Sequence, residues 1–144
     1  MKHRFGTIEV QAKYREEPSN RIESFQDVTR KYRSLGEKQK EHVYAIFLNN
    51  GNKEIGDKII GLGKRDQAQF DIQDLLRTAA LVNAAATILV HNHPSGNPQP
   101  TDNDIDTTKK IHDALETLGV QLLDHVIITR DSSYSMRRKN DGPL

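Results

Sequence analysis

The sequence predicts an α/β fold, a mixed and mainly antiparallel sheet packed against two or three helices in a three-layer-like arrangement. Three observations carry this. Residues 43–48 (VYAIFL), 87–90 (TILV) and 122–129 (LLDHVIIT) are apolar runs short enough for strands and apolar enough to be buried. The segments after Asp71 and Asp102 place apolar residues at helical spacing. Asn50-Gly51 supplies the turn of a hairpin, which disfavours a purely parallel, doubly wound sheet.

Taken in order, residues 7–14 (TIEVQAKY) alternate as a strand does. Ser24 and Asp27 resemble a capping box, so Ser24 opens a helix whose Phe25, Val28, Tyr32 and Leu35 share one face and which Gly36 ends. The strand at 43–48 follows, and beyond Asn50-Gly51 its return strand is expected near residues 54–60. Asp71 and Asp74 put negative charge at the start of the next helix, with Leu75, Leu76, Ala79 and Ala80 apolar. The strand at 87–90 runs into HNHPSGNPQP, a loop holding three of the chain's five prolines. A long helix is expected from about residue 102 to 118, lined inside by Ile105, Thr108, Ile111, Leu115 and Leu118 and stopped by Gly119. The buried strand at 122–129 contains Asp124-His125, and a last strand over residues 134–137 precedes a polar tail.

Composition narrows the function. A chain of 144 residues is the size of one domain, and it needs no staples to bury a core. Mean hydropathy is −0.73, yet the apolar residues fall in compact runs, which argues against disorder. No run approaches the roughly 18 apolar residues of a membrane span, and MKHRFGTIEV lacks the apolar region of a signal peptide, so a cytoplasmic protein without membrane association is expected. Cysteine is absent, which excludes disulfides, thiolate zinc sites, iron–sulfur clusters and a cysteine nucleophile. Any transition metal must rest on His, Asp and Glu, and there are six histidines. Net charge is +1, divided into +4 over residues 1–40 and −3 over the rest. The basic end reads as a solvated face, too weak to predict nucleic-acid binding.

His91 and His93 stand one residue apart at the end of a strand and so point to the same side. They can offer two imidazoles to one ion. Asp104 falls in the first turn of the following helix, where it can add a carboxylate. Two His and one Asp leave the fourth position of a tetrahedral Zn²⁺ to water, the arrangement of a catalytic zinc site with one ion per chain. Thr101 and Asp104 also have the form of a helix capping box, a structural role that can coexist with the chemical one.

His91-x-His93, seven residues, Thr101, two residues and Asp104 resembles the JAMM motif of the MPN/JAB metalloproteases, normally H-x-H-x(7)-S-x(2)-D. HNHPSGNPQPTDNDIDTTKKI and the downstream LLDHVII are closer still to the RadC-like JAB branch. The resemblance covers about residues 37–137. It implies a JAB/MPN-type domain over residues 37–144, with residues 1–36 as a strand–helix extension packed on it. It also implies that Glu41, in KEHVYAIFLNN, is the general acid/base, and that position 101 steadies the oxyanion. Threonine stands where the family has serine. Its hydroxyl is still a donor, but its extra methyl restricts χ1.

The other histidines carry less. His125, inside LLDHVII, and Ser95, in the loop, are candidates to support the ligands rather than to bind metal. His112 lies within a helix and His42 beside Glu41, neither with a partner at ligand spacing. HNH spells the name of a nuclease class whose residues are dispersed, a coincidence of letters. The expectation is a zinc-dependent hydrolase of peptide or isopeptide amides. Two alternatives remain: a nucleic-acid-linked role, through the family's association with DNA repair and mobile elements, and a catalytically silent binding module. No DNA-binding motif supports the first, and the retained ligands oppose the second.

Overall fold

Strand alternation splits the apolar run at residues 43–48 between two cores. Val43, Ala45 and Phe47 pack on one face with Leu75, Leu89, Ile111 and Leu115. Ile46 and Leu48 pack on the other with Val28, Tyr32, Leu35, Val90 and Val126. A computed structural model describes residues 6, 7, 9, 21–64 and 67–144. Its elements are helix α1 (Phe25–Lys31), a 3-10 turn (Arg33–Glu37), strands β1 (His42–Leu48), β2 (Glu54–Lys64) and β3 (Gln67–Phe70), helix α2 (Ile72–Leu81), strand β4 (Ala86–Asn92), helix α3 (Asp102–Thr117), and strands β5 (Gln121–Ile128) and β6 (Ser133–Ser135). The strands form one sheet in the order β3-β2-β1-β4-β5-β6. Only β4 and β5 run parallel among these neighbours, and α3 makes the crossover between them. The fold is therefore α/β with a mixed, mainly antiparallel sheet: α2 and α3 supply the first core, and α1 with the 3-10 turn supplies the second.

Several local expectations change in detail. Ser24 does open a capping box, its Oγ accepting from Asp27 N while Asp27 Oδ2 accepts from Ser24 N. The α-helix stops at Lys31, however, and the 3-10 turn carries Leu35 inward. Gly36 lies inside that turn and is not a helix terminator. A Cβ there would sit 2.4 Å from the Thr129 carbonyl oxygen, so glycine is required by the close approach of two backbones. In the hairpin after β1 the left-handed residue is Asn52, at φ 57°, not Gly51. Asn49 organises that turn, its Oδ1 accepting from Gly51 N and Lys53 N.

β2 runs on to Lys64 and pairs with β3, a strand the sequence pattern did not suggest. Ala80 is exposed, and Leu118 is 47% exposed because α3 ends at Thr117 and the chain turns away at Gly119. The last strand covers Ser133–Ser135, not residues 134–137. The strand expected over residues 7–14 lies, but for Thr7 and Glu9, outside the described residues. Among the described residues, no helix is long and apolar enough to cross a membrane.

Candidate metal centre

Strand register explains why distant residues meet. Val43 in β1 lies opposite His91 in β4, and directly opposed residues share a face of the sheet. Glu41, two residues before Val43, takes the same side and is held in extended pairing by Gly63 N→Glu41 O at 2.9 Å. His93 continues the β4–β5 ladder through His93 N→Ile128 O at 3.1 Å, so it stays on the side of His91. On β5, His125 pairs with Leu89, which also shares that side. β4 runs on through His91 and Asn92, so the loop is shorter than the sequence pattern suggests, and α3 then covers this face from the end of the loop at residues 93–101. The site therefore sits at the C-terminal end of a parallel strand and at the N-terminus of the crossover helix, the usual place for ligands in such sheets.

Glu41, His91 and His93 are all buried, and each offers a ligand atom within 4.8 Å of the others. His91 Nε2 and His93 Nε2 are 2.7 Å apart. Asp104 joins them, with Oδ2 3.0 Å from His93 Nε2 and Oδ1 3.5 Å from His91 Nε2. The two imidazoles thus lie close to two carboxylates, Glu41 just before β1 and Asp104 on α3. Two imidazole nitrogens and two carboxylates, with no thiolate, form a set that suits a divalent metal ion.

The protonation states of the two histidines differ. Burial pushes His91 well below its ordinary value of 6.5, and neighbouring His125 adds to the effect. Burial also takes His125 down to about 4. For His93, burial lowers the value, but the hydrogen bond to Asp104, the Asn97 carbonyl and the charges of Asp104 and Glu41 outweigh it and raise it. Burial would raise the Asp104 carboxyl. The His93 hydrogen bond, the His91 ring and the Thr101 N–H prevail and hold it well below the usual carboxylate range. Carbonyl oxygen only accepts, so the contact of His93 Nδ1 with Asn97 O at 2.9 Å puts hydrogen on Nδ1. In the metal-free centre Nε2 also carries hydrogen, donated to the Asp104 carboxylate, and a bound ion would take the place of that hydrogen.

Asp104 is fixed before any ion arrives. Thr101 Oγ1 accepts from Asp104 N at 3.0 Å, and Asp104 Oδ2 accepts from Thr101 N at 2.8 Å, a complete capping box at the start of α3. Thr101 itself is exposed, and the capping box uses its hydroxyl oxygen only as an acceptor. Ser95 is exposed in the loop. Its Oγ accepts from Asn97 N, and the Asn97 carbonyl is the group that takes His93 Nδ1–H. His125 is fully buried, with Nε2 2.6 Å from His91 Nδ1. Phe70 meets both rings edge-on, at 6.3 Å from His91 and 6.2 Å from His125.

Sequence reasoning missed two residues that hold the centre together. Asn92, between the two histidines, turns to the other face. There its Oδ1 accepts from His42 N at 2.7 Å and its Nδ2 donates to Lys38 O and Lys40 O, at 3.2 and 2.9 Å. These bonds bracket Glu41. Asp124 accepts from His125 N, Arg137 N and the Ser135 hydroxyl, tying β5 to the chain after β6. A buried asparagine beside a metal-type motif was the available signal for the first. His112 also differs from expectation: with Asp113 and Glu116 it forms a second metal-capable group, though an exposed one on α3.

The family described as "RadC-like JAB domain" matches residues 22–141. The chain is 38% identical over 120 residues to a UPF0758 protein of Streptococcus uberis, covering 83% of this chain and 53% of that protein. It is 39% identical over 103 residues to a UPF0758 protein of Carboxydothermus hydrogenoformans, covering 72% and 46%. A UPF0758 protein of Streptococcus thermophilus is 37% identical over 124 residues, covering 85% and 54%. The chain spans about half the length of these curated relatives. With the domain match covering most of its residues, the chain belongs to the RadC-like JAB domain family.

Proposed function

We propose that this domain is a zinc-dependent hydrolase that cleaves a peptide or isopeptide amide bond. The observation that carries the reading is the convergence of Glu41, His91, His93 and Asp104 on one buried spot. His91, His93 and Asp104 would hold the ion. Asp104 is the better of the two carboxylates for that role because its capping box and both histidines fix it. When bound there, zinc acidifies a water to a pKa of about 7 and polarises a carbonyl.

Glu41 then acts as the base. It takes a proton from the water as the water oxygen attacks the carbonyl carbon. It returns the proton to the amine nitrogen as the C–N bond breaks, leaving a carboxylic acid, which keeps the water's second hydrogen, and an amine. Thr101 donates its hydroxyl hydrogen to the carbonyl oxygen as negative charge develops there. The side chain of Glu41 is held close to the histidines without belonging to the capping box, which suits a group that must exchange protons.

The test is Glu41→Gln, assayed on amide and isopeptide substrate libraries beside wild type. The variant is expected to retain zinc and to lose about 10²- to 10⁴-fold in turnover. Undiminished turnover would remove Glu41 from its role.

A further inference from the structure

We propose that Thr108 and His125 are positioning residues that decide which nitrogen of His91 carries its hydrogen, and so leave the Nε2 lone pair open to a metal. The inference deepens the metal-centre reading and rests on it. Three buried contacts form one line: Thr108 Oγ1 to Asp104 O at 2.6 Å, His125 Nδ1 to Thr108 Oγ1 at 2.7 Å, and His91 Nδ1 to His125 Nε2 at 2.6 Å. Thr108, His125 and His91 are each 0% exposed, so no water competes for these bonds.

The direction of the line follows from its end. The Asp104 carbonyl can only accept, so the single hydroxyl hydrogen of Thr108 goes to it. The contact of Thr108 Oγ1 with Met136 Sδ, at 3.8 Å, is longer and weaker. The Thr108 oxygen is then an acceptor toward His125, and hydrogen sits on His125 Nδ1. His125 Nε2 is left with a lone pair and accepts from His91 Nδ1–H. His91 Nε2 therefore presents its lone pair toward His93 and Asp104. In the opposite polarity hydrogen would sit on His91 Nε2, and a neutral ring could not bind a metal through that atom. The line also closes on itself, since it starts at the backbone of Asp104 and ends at the ring facing the Asp104 carboxylate. Position on α3 and ring state on β4 are set together.

The experiment compares wild type, Thr108→Val and Thr108→Ser for zinc affinity, by competition with a chelator. It adds long-range ¹H–¹⁵N NMR of the histidine rings in the zinc-loaded wild type. Valine keeps the shape of threonine but removes the acceptor and the donor, whereas serine keeps both. Thr108→Val is expected to bind zinc about ten-fold or more weakly, and Thr108→Ser to restore wild-type affinity within about two-fold. The spectra should place hydrogen on Nδ1 of both His91 and His125. Wild-type affinity in a folded Thr108→Val, or hydrogen on Nε2 of His125, would overturn the inference while leaving the metal centre standing. A wild type that takes up no zinc would overturn both. If Thr108→Val fails to fold, the ring spectra and the serine variant decide.

Discussion

The Asn92 side-chain oxygen lies 2.7 Å from the backbone nitrogen of His42, so the residue between His91 and His93 also fixes the segment that carries Glu41. Its amide nitrogen completes the hold through Lys38 O and Lys40 O. Asn92→Ala strands these backbone groups and is expected to lower stability by about 1–3 kcal/mol. Because the His91 and His93 contacts do not pass through it, zinc content should stay at the wild-type level while turnover falls. Thermal melts, elemental analysis and amide hydrolysis on the same preparation check this. Full turnover in the variant would show that the clamp does not serve Glu41.

Thr101 caps α3, and its proposed contact with the substrate is separable from that role. Thr101→Ala removes the hydroxyl that caps α3, at a cost of about 1 kcal/mol, and removes the proposed hydrogen bond to the substrate oxygen. Loss of an oxyanion donor of this kind is expected to lower turnover by about 10²-fold. Thr101→Ser keeps both groups and should match wild type in denaturant stability. If Thr101→Ala turned over substrate at the wild-type rate, the hydroxyl would be a helix cap and nothing more.

Acid should weaken the metal-free fold in a defined window. His91 is held well below 6.5 and His125 at about 4, so below 6.5 the unfolded chain takes up protons that the folded chain refuses. The contribution of these two neutral rings is therefore complete above 6.5 and falls as pH drops from there toward 4, by about 1.4 kcal/mol per pH unit for each histidine fully involved. The raised value of His93 acts on the alkaline side of 6.5. The lowered value of Asp104 acts only as pH falls through the usual carboxylate range and below, so neither cancels the slope. Urea midpoints of the metal-free protein across this range measure it. A flat profile would contradict the burial of two neutral rings.

Much of this molecule was legible in the chain because its signals are local. The run at residues 43–48, the Ser24 and Thr101 capping boxes and the H-x-H pair each depend on near neighbours, and each stands in the structure close to where the pattern puts it. What was not legible depends on register. Strand parity turns His91 and His93 to one side, but only the pairing of Val43 with His91 brings Glu41 there, and only the pairing of Leu89 with His125 brings the second ring beneath them. Thr108 read as one more inward position on a helix, and its hydroxyl acquired meaning from β5. β3 was invisible because its strand pattern is short and follows a glycine-rich stretch of β2. Gly36 looked like a helix stop because glycine signals a backbone need without saying which one.

The most direct measurement is the metal content of protein purified without added metal, for wild type and His91→Ala side by side. About one zinc per wild-type chain is expected, as a three-ligand catalytic site holds, with its loss in the variant. A folded wild type that binds no zinc, or a His91→Ala protein that keeps it, would overturn the metal centre.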